Sequence, residues 1–585
     1  MAKKFNNHEI ANILREMSIC YEMERIAFKP AAYERAADTI ELQGEEIGER
    51  LKRGGTKELE KIEGVGPAIA KHIEELFKHG SFREYARCRR NMPDDVLTLT
   101  TIPDLGPHKV RILYEKLHVR TLNDLERAAR EKRIRKLPGF GVKTEEKILR
   151  GIDWFRKSSQ RRLLGDVLPL ARSIERHLKS APGIKQAVMA GSVRRRQETI
   201  GDFDLVVTSD QPAKAMASIE RLKMVKKILE RGRRNIVIQL ENDLTCDVIV
   251  VPNESFGAAL QHFTGNKEHN VLLRKLAGAK GLKLNEYGLW RGKKRLAAKT
   301  EKEIYRALGL PYIEPEIRLA TGEIEAAIAG KLPNLLPYGA LRGDLQIQTS
   351  WTDGLATIEQ MAEAARIIGL EYIVVTDHTR SLAMVGGLDS KGLGAQAREI
   401  DQLNHRLKTA KIKFTVLKGA EVNIFKDGSL DLPDATLKKL DVVGAAIHSN
   451  FNLDKKTQTE RLIRVMKNQH VDIIYHPTGR IIGRREPIEL DLDKILRTAK
   501  ETGTAMEINA SPDRSDLQTT QVRLAVKLGV KLVINSDAHR PEHLRFLELG
   551  EAIARRGWAE KKNILNTKSV QALKTWLTKP KNQRR

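Results

Sequence analysis

Beyond residue 340 the chain repeats one unit, a short apolar run followed by a helical stretch. The runs cover residues 372–376, 416–420, 442–447, 472–475, 505–508 and 532–535, and helical stretches of about a dozen residues or more separate most of them. Two parallel strands can be joined only by a crossover of roughly that length. Repeated β-α units of this size therefore predict a closed parallel barrel, and such barrels collect their chemistry at the C-terminal ends of the strands. Metal-type residues stand where these strands end: Asp377 and His378, Glu421, His448, His476, and Asp537 with His539. One such histidine is more often a satisfied core residue than a ligand. Four histidines and three acids arriving at the same end predict a polynuclear metal site.

The first 150 residues follow a helical rhythm, and one theme recurs in them three times. Ile62-Glu63-Gly64-Val65-Gly66-Pro67, Ile102-Pro103-Asp104-Leu105-Gly106-Pro107 and Leu137-Pro138-Gly139-Phe140-Gly141-Val142 each place a tight glycine turn before apolar residues at helical spacing. A turn of this kind aims backbone N–H groups, at a helix N-terminus, outward at an anion. The theme resembles the helix-hairpin-helix, which grips a DNA backbone without reading sequence. Gly64, Gly66, Gly106, Gly139 and Gly141 are the candidate DNA-binding glycines. Asp104 stands where the middle copy would have its first glycine, which makes that grip the weakest of the three.

Between these regions lie Gly191-Ser192-Val193-Arg194-Arg195, Gly201-Asp202-Phe203-Asp204 and Asp247. Two residues apart on a strand, Asp202 and Asp204 face the same way. The runs 236–240 and 245–251 read as adjacent strands able to bring Asp247 alongside. Three converging carboxylates suit two divalent cations ~3.5–4 Å apart, the arrangement that clamps both oxygens of a phosphoryl displacement. The Gly-Ser-x-Arg-Arg turn offers N–H groups, a hydroxyl and guanidinium forks to a triphosphate.

This constellation resembles the palm of the family X DNA polymerases, the group that includes DNA polymerase beta. Phe256-Gly257-Ala258-Ala259-Leu260-Gln261-His262-Phe263-Thr264-Gly265-Asn266-Lys267-Glu268-His269-Asn270, followed by Arg274 and Gly281-Leu282-Lys283-Leu284-Asn285-Glu286-Tyr287-Gly288-Leu289, resembles that family's thumb. The resemblance covers roughly residues 1–320. It implies that Asp202, Asp204 and Asp247 hold Mg²⁺ or Mn²⁺ and catalyse nucleotidyl transfer. It further implies that Gly191, Ser192, Arg195 and Gly201 bind the nucleotide, that His262, Phe263 and Gly265 border its sugar, and that Asn270 and Arg274 approach base and template.

The charge supports a polyanionic partner. The formal net charge is +27, and residues 101–300 alone hold 42 Lys and Arg against 22 Asp and Glu, a surplus of 20. Cys20, Cys88 and Cys246 lie far apart without a Cys-x-x-Cys spacing, which predicts a reducing compartment and neither a disulfide framework nor a zinc ribbon. No apolar run approaches ~18 residues, and no signal segment follows Met1-Ala2-Lys3-Lys4-Phe5, so a cytoplasmic protein is expected.

The C-terminal repeat resembles a PHP domain (polymerase and histidinol phosphatase), which many bacterial and archaeal family X polymerases carry. The family opens with Asp-Leu-His-x-His followed by Ser-Asp-Gly. Here the run is Asp344-Leu345-Gln346-Ile347-Gln348, then Asp353-Gly354. Both histidines are glutamines, and a neutral amide is a poor substitute for an imidazole. The resemblance leaves Asp353, His378, Glu421, His448, His476, Asp537 and His539 as ligands for Mn²⁺ or Zn²⁺, in a metal-dependent 3′–5′ exonuclease site weakened at two positions. The family's Schiff-base lysine for removing 5′-deoxyribose phosphate is matched by His72, which cannot form that adduct. Lys29, Lys61 and Lys71 are the nearby amines.

The expected architecture is multidomain: a helical helix-hairpin-helix N-terminal region, an α+β nucleotidyltransferase palm and thumb, and a C-terminal α/β PHP barrel. Its expected parts are 1–90, 91–155, 156–252 (palm), 253–312 (thumb), 313–337 (a proline-bearing linker) and 338–575 (barrel). The expected function is gap-filling DNA polymerisation of the base-excision type by a monomer, with gapped or primed DNA and dNTPs as partners and no membrane. The alternatives are a template-independent nucleotidyltransferase and a DNA-binding repair scaffold.

Overall fold

The structure is a computed structural model describing residues 5, 7–26, 28–41, 46–62, 64–102, 105–159, 161–382 and 385–584. Met1–Lys4, Glu63, Pro103 and Asp104 lie outside the described residues. The chain forms two compact units, residues 1–160 with 483–485, and residues 161–482 with 486–585.

The first unit is helical. In Pro67–His79 the buried positions Ile69, Ala70, Ile73 and Leu76 fall on one face, and Gly80 at φ +75° ends the helix. Gly66 and Gly106 are the N-caps of Pro67–His79 and Pro107–Leu117. Gly141 precedes Val142–Ser159. A Cβ added at Gly66, Gly106, Gly139 or Gly141 would meet nothing within 4 Å, so the turns are open on that side, whereas at Gly64 it would meet the Arg35 side chain at 3.0 Å. The expectation of free cysteines fails here. Cys20, on Asn7–Met23, and Cys88, on Arg83–Arg90, form a disulfide across 68 residues of sequence. Helix packing brings them together, and spacing could not reveal it.

The second unit holds two sheets of opposite character. The palm sheet runs Gln186–Met189, Asp202–Thr208, Thr245–Val251, Asn235–Leu240, Val225–Arg231. Its two carboxylate strands are parallel, and Asp204 stands directly opposite Asp247. The thumb follows with helices Phe256–Thr264 and Lys267–Ala279 and a three-stranded sheet. The proline-bearing stretch after it is packed, with Ile313, Ile317, Arg318, Ile324 and Ala327 all buried.

The C-terminal sheet has seven parallel strands in sequence order, Gly343–Ile347, Tyr372–Val375, Thr415–Asn423, Val442–Ala446, Ile473–Ile474, Ala505–Asn509 and Leu532–Asn535. Ile347 bridges to Ala538 and Gln348 N–H donates to the Ala538 carbonyl at 2.9 Å, which closes the ring. Alternation along the strands sends Leu345, Tyr372, Val374, Leu417 and Val533 to one apolar cluster, with Leu573 and Trp576 of helix Val570–Thr578. Ile373, Val375, Val416 and Val443 join the other, with the covering helices. Among the described residues no helix is long and apolar enough to cross a membrane.

Candidate active site

In the palm, geometry forces the glycine that opens the turn at residues 191–195. Gly191 has φ +53°, and a Cβ there would overlap the Asp204 carboxylate. Burial, followed by repulsion from Asp202 and Asp247, pushes Asp204 up to about 7. Burial and Asp202 also raise Asp247. Asp204 and Asp247, both raised beside Asp202 with only Arg195 opposing at Asp204, form with Asp202 a donor set that fits divalent cations.

A cavity of about 490 Å³ opens beside them. It is lined by Gly191, Ser192, Arg195, Asp202, Asp204, His262, Phe263, Gly265, Asn270 and Arg274, all expected from sequence. Arg161, Gln197, Asn266 and Lys267 also line it and were not singled out for it. Gly201 does not reach this lining, and Asp247 joins through its strand register with Asp204. Ser192 Oγ and Arg195 Nε are buried without a protein partner. Leaving buried polar atoms unpaired is costly, so both suit an incoming oxyanion.

The two arginines of the turn have separate fates. Arg195 donates to the Thr264 carbonyl of the thumb at the cavity wall. Arg194 turns away, binding Glu301 at 2.6 and 2.9 Å and Thr264 Oγ1 at 2.6 Å. Fully buried Arg318 adds a 2.6 Å bond to Glu301. Burial alone would raise Glu301, but Arg318 and Arg194 outweigh it and hold the carboxyl at about 2. Arg194 therefore ties palm to thumb and is not part of a triphosphate fork. Asn270 is likewise partly engaged, accepting from Gln261 and donating to the His262 carbonyl, both at 2.7 Å. It holds the His262–Phe263 pair, whose rings meet edge to face at 5.1 Å. The turn ends at Arg196, whose φ of +53° is a left-handed conformation costing a non-glycine residue roughly 1–2 kcal/mol.

At the barrel mouth the seven expected ligands lie together, but their carboxylates are answered by protein groups. Glu421 Oε2 accepts from Gln346 Nε2 at 2.9 Å and from Gln348 Nε2 at 2.7 Å. His476 Nε2 lies 2.8 Å and His448 Nε2 3.0 Å from Oε1. Although burial raises Glu421, the surrounding imidazoles, His378 foremost, hold it well below the carboxylate range. Asp537 faces Arg514 Nε at 3.3 Å and Asn509 Nδ2 at 3.1 Å. Asp353 lies 3.5 Å from both His378 and His539. Asp377, beside His378, is taken up by Thr349, Thr352 and Gln396.

A polynuclear cluster does not fit this arrangement. Both amides would have to turn over to offer oxygen, and a guanidinium stands against Asp537. Two overlapping sets, Asp353 with His378 and His539, and His378 with Glu421 and His448, each bring their ligand atoms within 4.8 Å and suit one cation, and they share His378.

In the first unit, the position expected to carry a Schiff-base lysine is His72. Its Nδ1 is 2.7 Å from the Tyr33 hydroxyl and its ring stacks on Phe82 at 4.3 Å. Burial lowers its pKa. Lys29 sits 4.6 Å over the Tyr21 ring, and Lys61 is paired with Glu58.

A palm with two carboxylate strands, a thumb of two helices and a small sheet, and a closed parallel barrel make a nucleotidyltransferase fold joined to a PHP-type barrel, and comparison with known proteins agrees. The DNA polymerase beta thumb family matches residues 259–319, a helix-hairpin-helix domain 5–82, and a SAM-like helix-hairpin-helix tandem 96–153. The DNA polymerase/3′-5′ exonuclease PolX of Bacillus subtilis (strain 168) is 35% identical over 574 residues, covering 97% of this chain and 99% of that protein. A probable phosphatase of Thermoanaerobacter sp. (strain X514) is 33% identical over 240 residues, 39% of this chain and 90% of its own length. DNA polymerase lambda of Arabidopsis thaliana is 26% identical over 301 residues, 45% of this chain and 53% of that protein. The chain belongs to the PolX family of DNA polymerases.

Proposed function

We propose that this chain fills short gaps in DNA by template-directed nucleotidyl transfer in the palm, and that its barrel has little or no polynuclear nuclease chemistry. The observation that carries the first part is a single cavity holding Ser192 Oγ and Arg195 Nε, buried and unpaired, beside Asp202 and Asp204, with the thumb's His262 and Phe263 across from them. Ser192 and Arg195 bind the β- and γ-phosphates, and Gly191 lets the backbone approach them. His262, Phe263 and Gly265 border the sugar, while Asn270 and Arg274 face base and template. Asp247, raised by burial and by Asp202, is placed to take the proton of the primer 3′-OH. Mg²⁺ or Mn²⁺ held by Asp202, Asp204 and Asp247 supplies charge neutralisation for the transferred phosphoryl group.

The open glycine turns hold the duplex by its backbone. At the barrel, the set of Asp353, His378 and His539 and the set of His378, Glu421 and His448 share His378 and compete for a cation, while His476 and Asp537 serve in the surrounding network of hydrogen bonds and ion pairs. His72 gives no Schiff base. A cytoplasmic monomer acting in base-excision repair completes the reading. A primer-extension assay on gapped DNA tests it: templated extension without degradation supports it, and template-independent addition or no extension overturns it.

A further inference from the structure

We propose that the C-terminal barrel is a working part of the nucleotide pocket, gripping Arg196, and that Arg556 and Glu548 are positioning residues for the incoming triphosphate. This rests on the reading of the palm as the site of nucleotidyl transfer. Helix Leu547–Arg556 belongs to the barrel through Ile553 and Ala554, yet its Leu549 is buried in the palm core. Gly165 of the palm admits no side chain there, because a Cβ would run into Pro512 and Leu549. The two folds therefore share a seam packed at Gly165, Pro512 and Leu549, and this helix lies in it.

From its two ends the helix grips Arg196, and Glu548 also accepts from Arg172 of the palm. Glu548 Oε1 receives the Arg196 guanidinium at 3.0 Å, and Arg556 donates to the Arg196 carbonyl. Glu548 and Arg556 are eight residues apart, about two turns, so both lie on one face. Arg556 is buried and also donates to Thr519 Oγ1 at 2.9 Å, while lying 3.4 Å from Glu198. Arg480, from the loop after the fifth barrel strand, fixes Glu198 at 2.7 Å. Arg196 is the left-handed residue of the turn, and Arg195 and Gln197 on either side of it line the nucleotide cavity. The turn is closed locally, by Arg196 N–H on the Val193 carbonyl and Gln197 N–H on the Ser192 carbonyl, both at 3.0 Å. The barrel residues add a second hold on Arg196 from outside, so that the turn aiming Ser192 and Arg195 is fixed from both sides.

The test is steady-state extension of a gapped primer by the full chain, varying dNTP. Arg556→Ala should raise KM for dNTP about tenfold, the effect of one lost charge-assisted hydrogen bond, with kcat within twofold and DNA affinity unchanged. Arg556→Lys should recover much of the loss, since an ammonium can still reach the Arg196 carbonyl. Glu548→Gln should raise KM more modestly, and it decides the matter should Arg556→Ala not fold. Glu363→Gln, on an exposed barrel helix, is the control expected to change nothing. Variants that lower thermal stability but leave KM for dNTP at the parental value overturn the inference and make the seam merely structural. Parental protein that extends no primer overturns the polymerase reading and the inference with it.

Discussion

Two clusters of carboxylates in this chain, both at strand ends, are in opposite electrostatic states. In the palm, burial and Asp202 raise Asp204 and Asp247, and Asp202 and Asp204 line a cavity with unpaired donors. At the barrel mouth, Glu421 meets two amides and two imidazoles, and Asp537 meets a guanidinium. The first cluster has one opposing guanidinium at Asp204, whereas in the second the carboxylates Glu421 and Asp537 are met by side-chain donors. In that second cluster Gln348 Oε1, His378 Nδ1 and His476 Nδ1 nonetheless stay buried without a hydrogen-bond partner. Carboxylate content alone therefore says little about a metal site. What decides it is whether the protein has already supplied the positive charge.

The largest expected effect breaks the palm side. Asp204→Asn should lower primer extension at least ~10²-fold while leaving DNA affinity nearly unchanged, as measured by single-turnover kinetics and a binding titration. Extension at the parental rate would remove the palm from the chemistry.

The next experiment tries to convert the barrel into a palm-like cluster. Parental protein should degrade single-stranded DNA little with Mn²⁺. Gln346→His with Gln348→His and Arg514→Ala removes the two amide donors and the guanidinium. That triple change should raise bound Mn²⁺ per chain and increase 3′–5′ degradation about tenfold or more, and adding His378→Ala should abolish the gain. Strong degradation by the parental chain, lost on His378→Ala alone, would show that the site as built is a working nuclease.

This contrast was half legible in the sequence. Strand periodicity put Asp202 and Asp204 on one face, and two apolar runs foretold the strand carrying Asp247. The glutamines at 346 and 348 were visible as departures from the PHP pattern, and the β-α repeat gave the barrel. What sequence did not show depends on side-chain direction or on long-range packing. Nothing distinguishes Arg194 from Arg195 until the Glu301–Arg318 pair is in place. Arg514 carries no motif, and it meets Asp537 only because adjacent barrel strands bring their following loops together. The same holds for Cys20 with Cys88 and for Arg196 with Glu548, whose partners lie far away in sequence.

A milder test separates the clusters by their response to protons. With Asp204 at about 7, cations compete with a proton there. The Mn²⁺ or Mg²⁺ concentration for half-maximal extension should be nearly constant above pH 7 and rise about tenfold per unit below it. A flat profile from pH 8 to 5.5 would mean that no carboxylate of the cluster takes up a proton in that range.

The smallest effect is a stability difference of opposite origin in the two sites, read in chelator by thermal unfolding. Asp204 is raised from 3.8 to about 7, so the folded chain holds that proton more tightly than the unfolded one. The stability this contributes is full below about pH 4 and is lost as pH rises through 7. His539 is also raised, to about 10. Burial opposes this, but Asp353 at 3.5 Å and then Asp537 outweigh it. Its contribution is full below pH 6.5 and is lost as pH rises through 10. Between pH 7.5 and 8.5 the Asp204 term has almost ceased to change and the buried palm thiol of Cys246, raised from 9.0, has not begun to act, so a decline of a degree or two in Tm there belongs to the barrel mouth. His539→Gln should remove most of that decline without altering the Tm gained on adding Mg²⁺ at pH 7.5, because that gain comes from relieving the palm carboxylates. If His539→Gln instead abolished the Mg²⁺-induced gain, the barrel would be the principal metal site and the contrast between the clusters would be reversed.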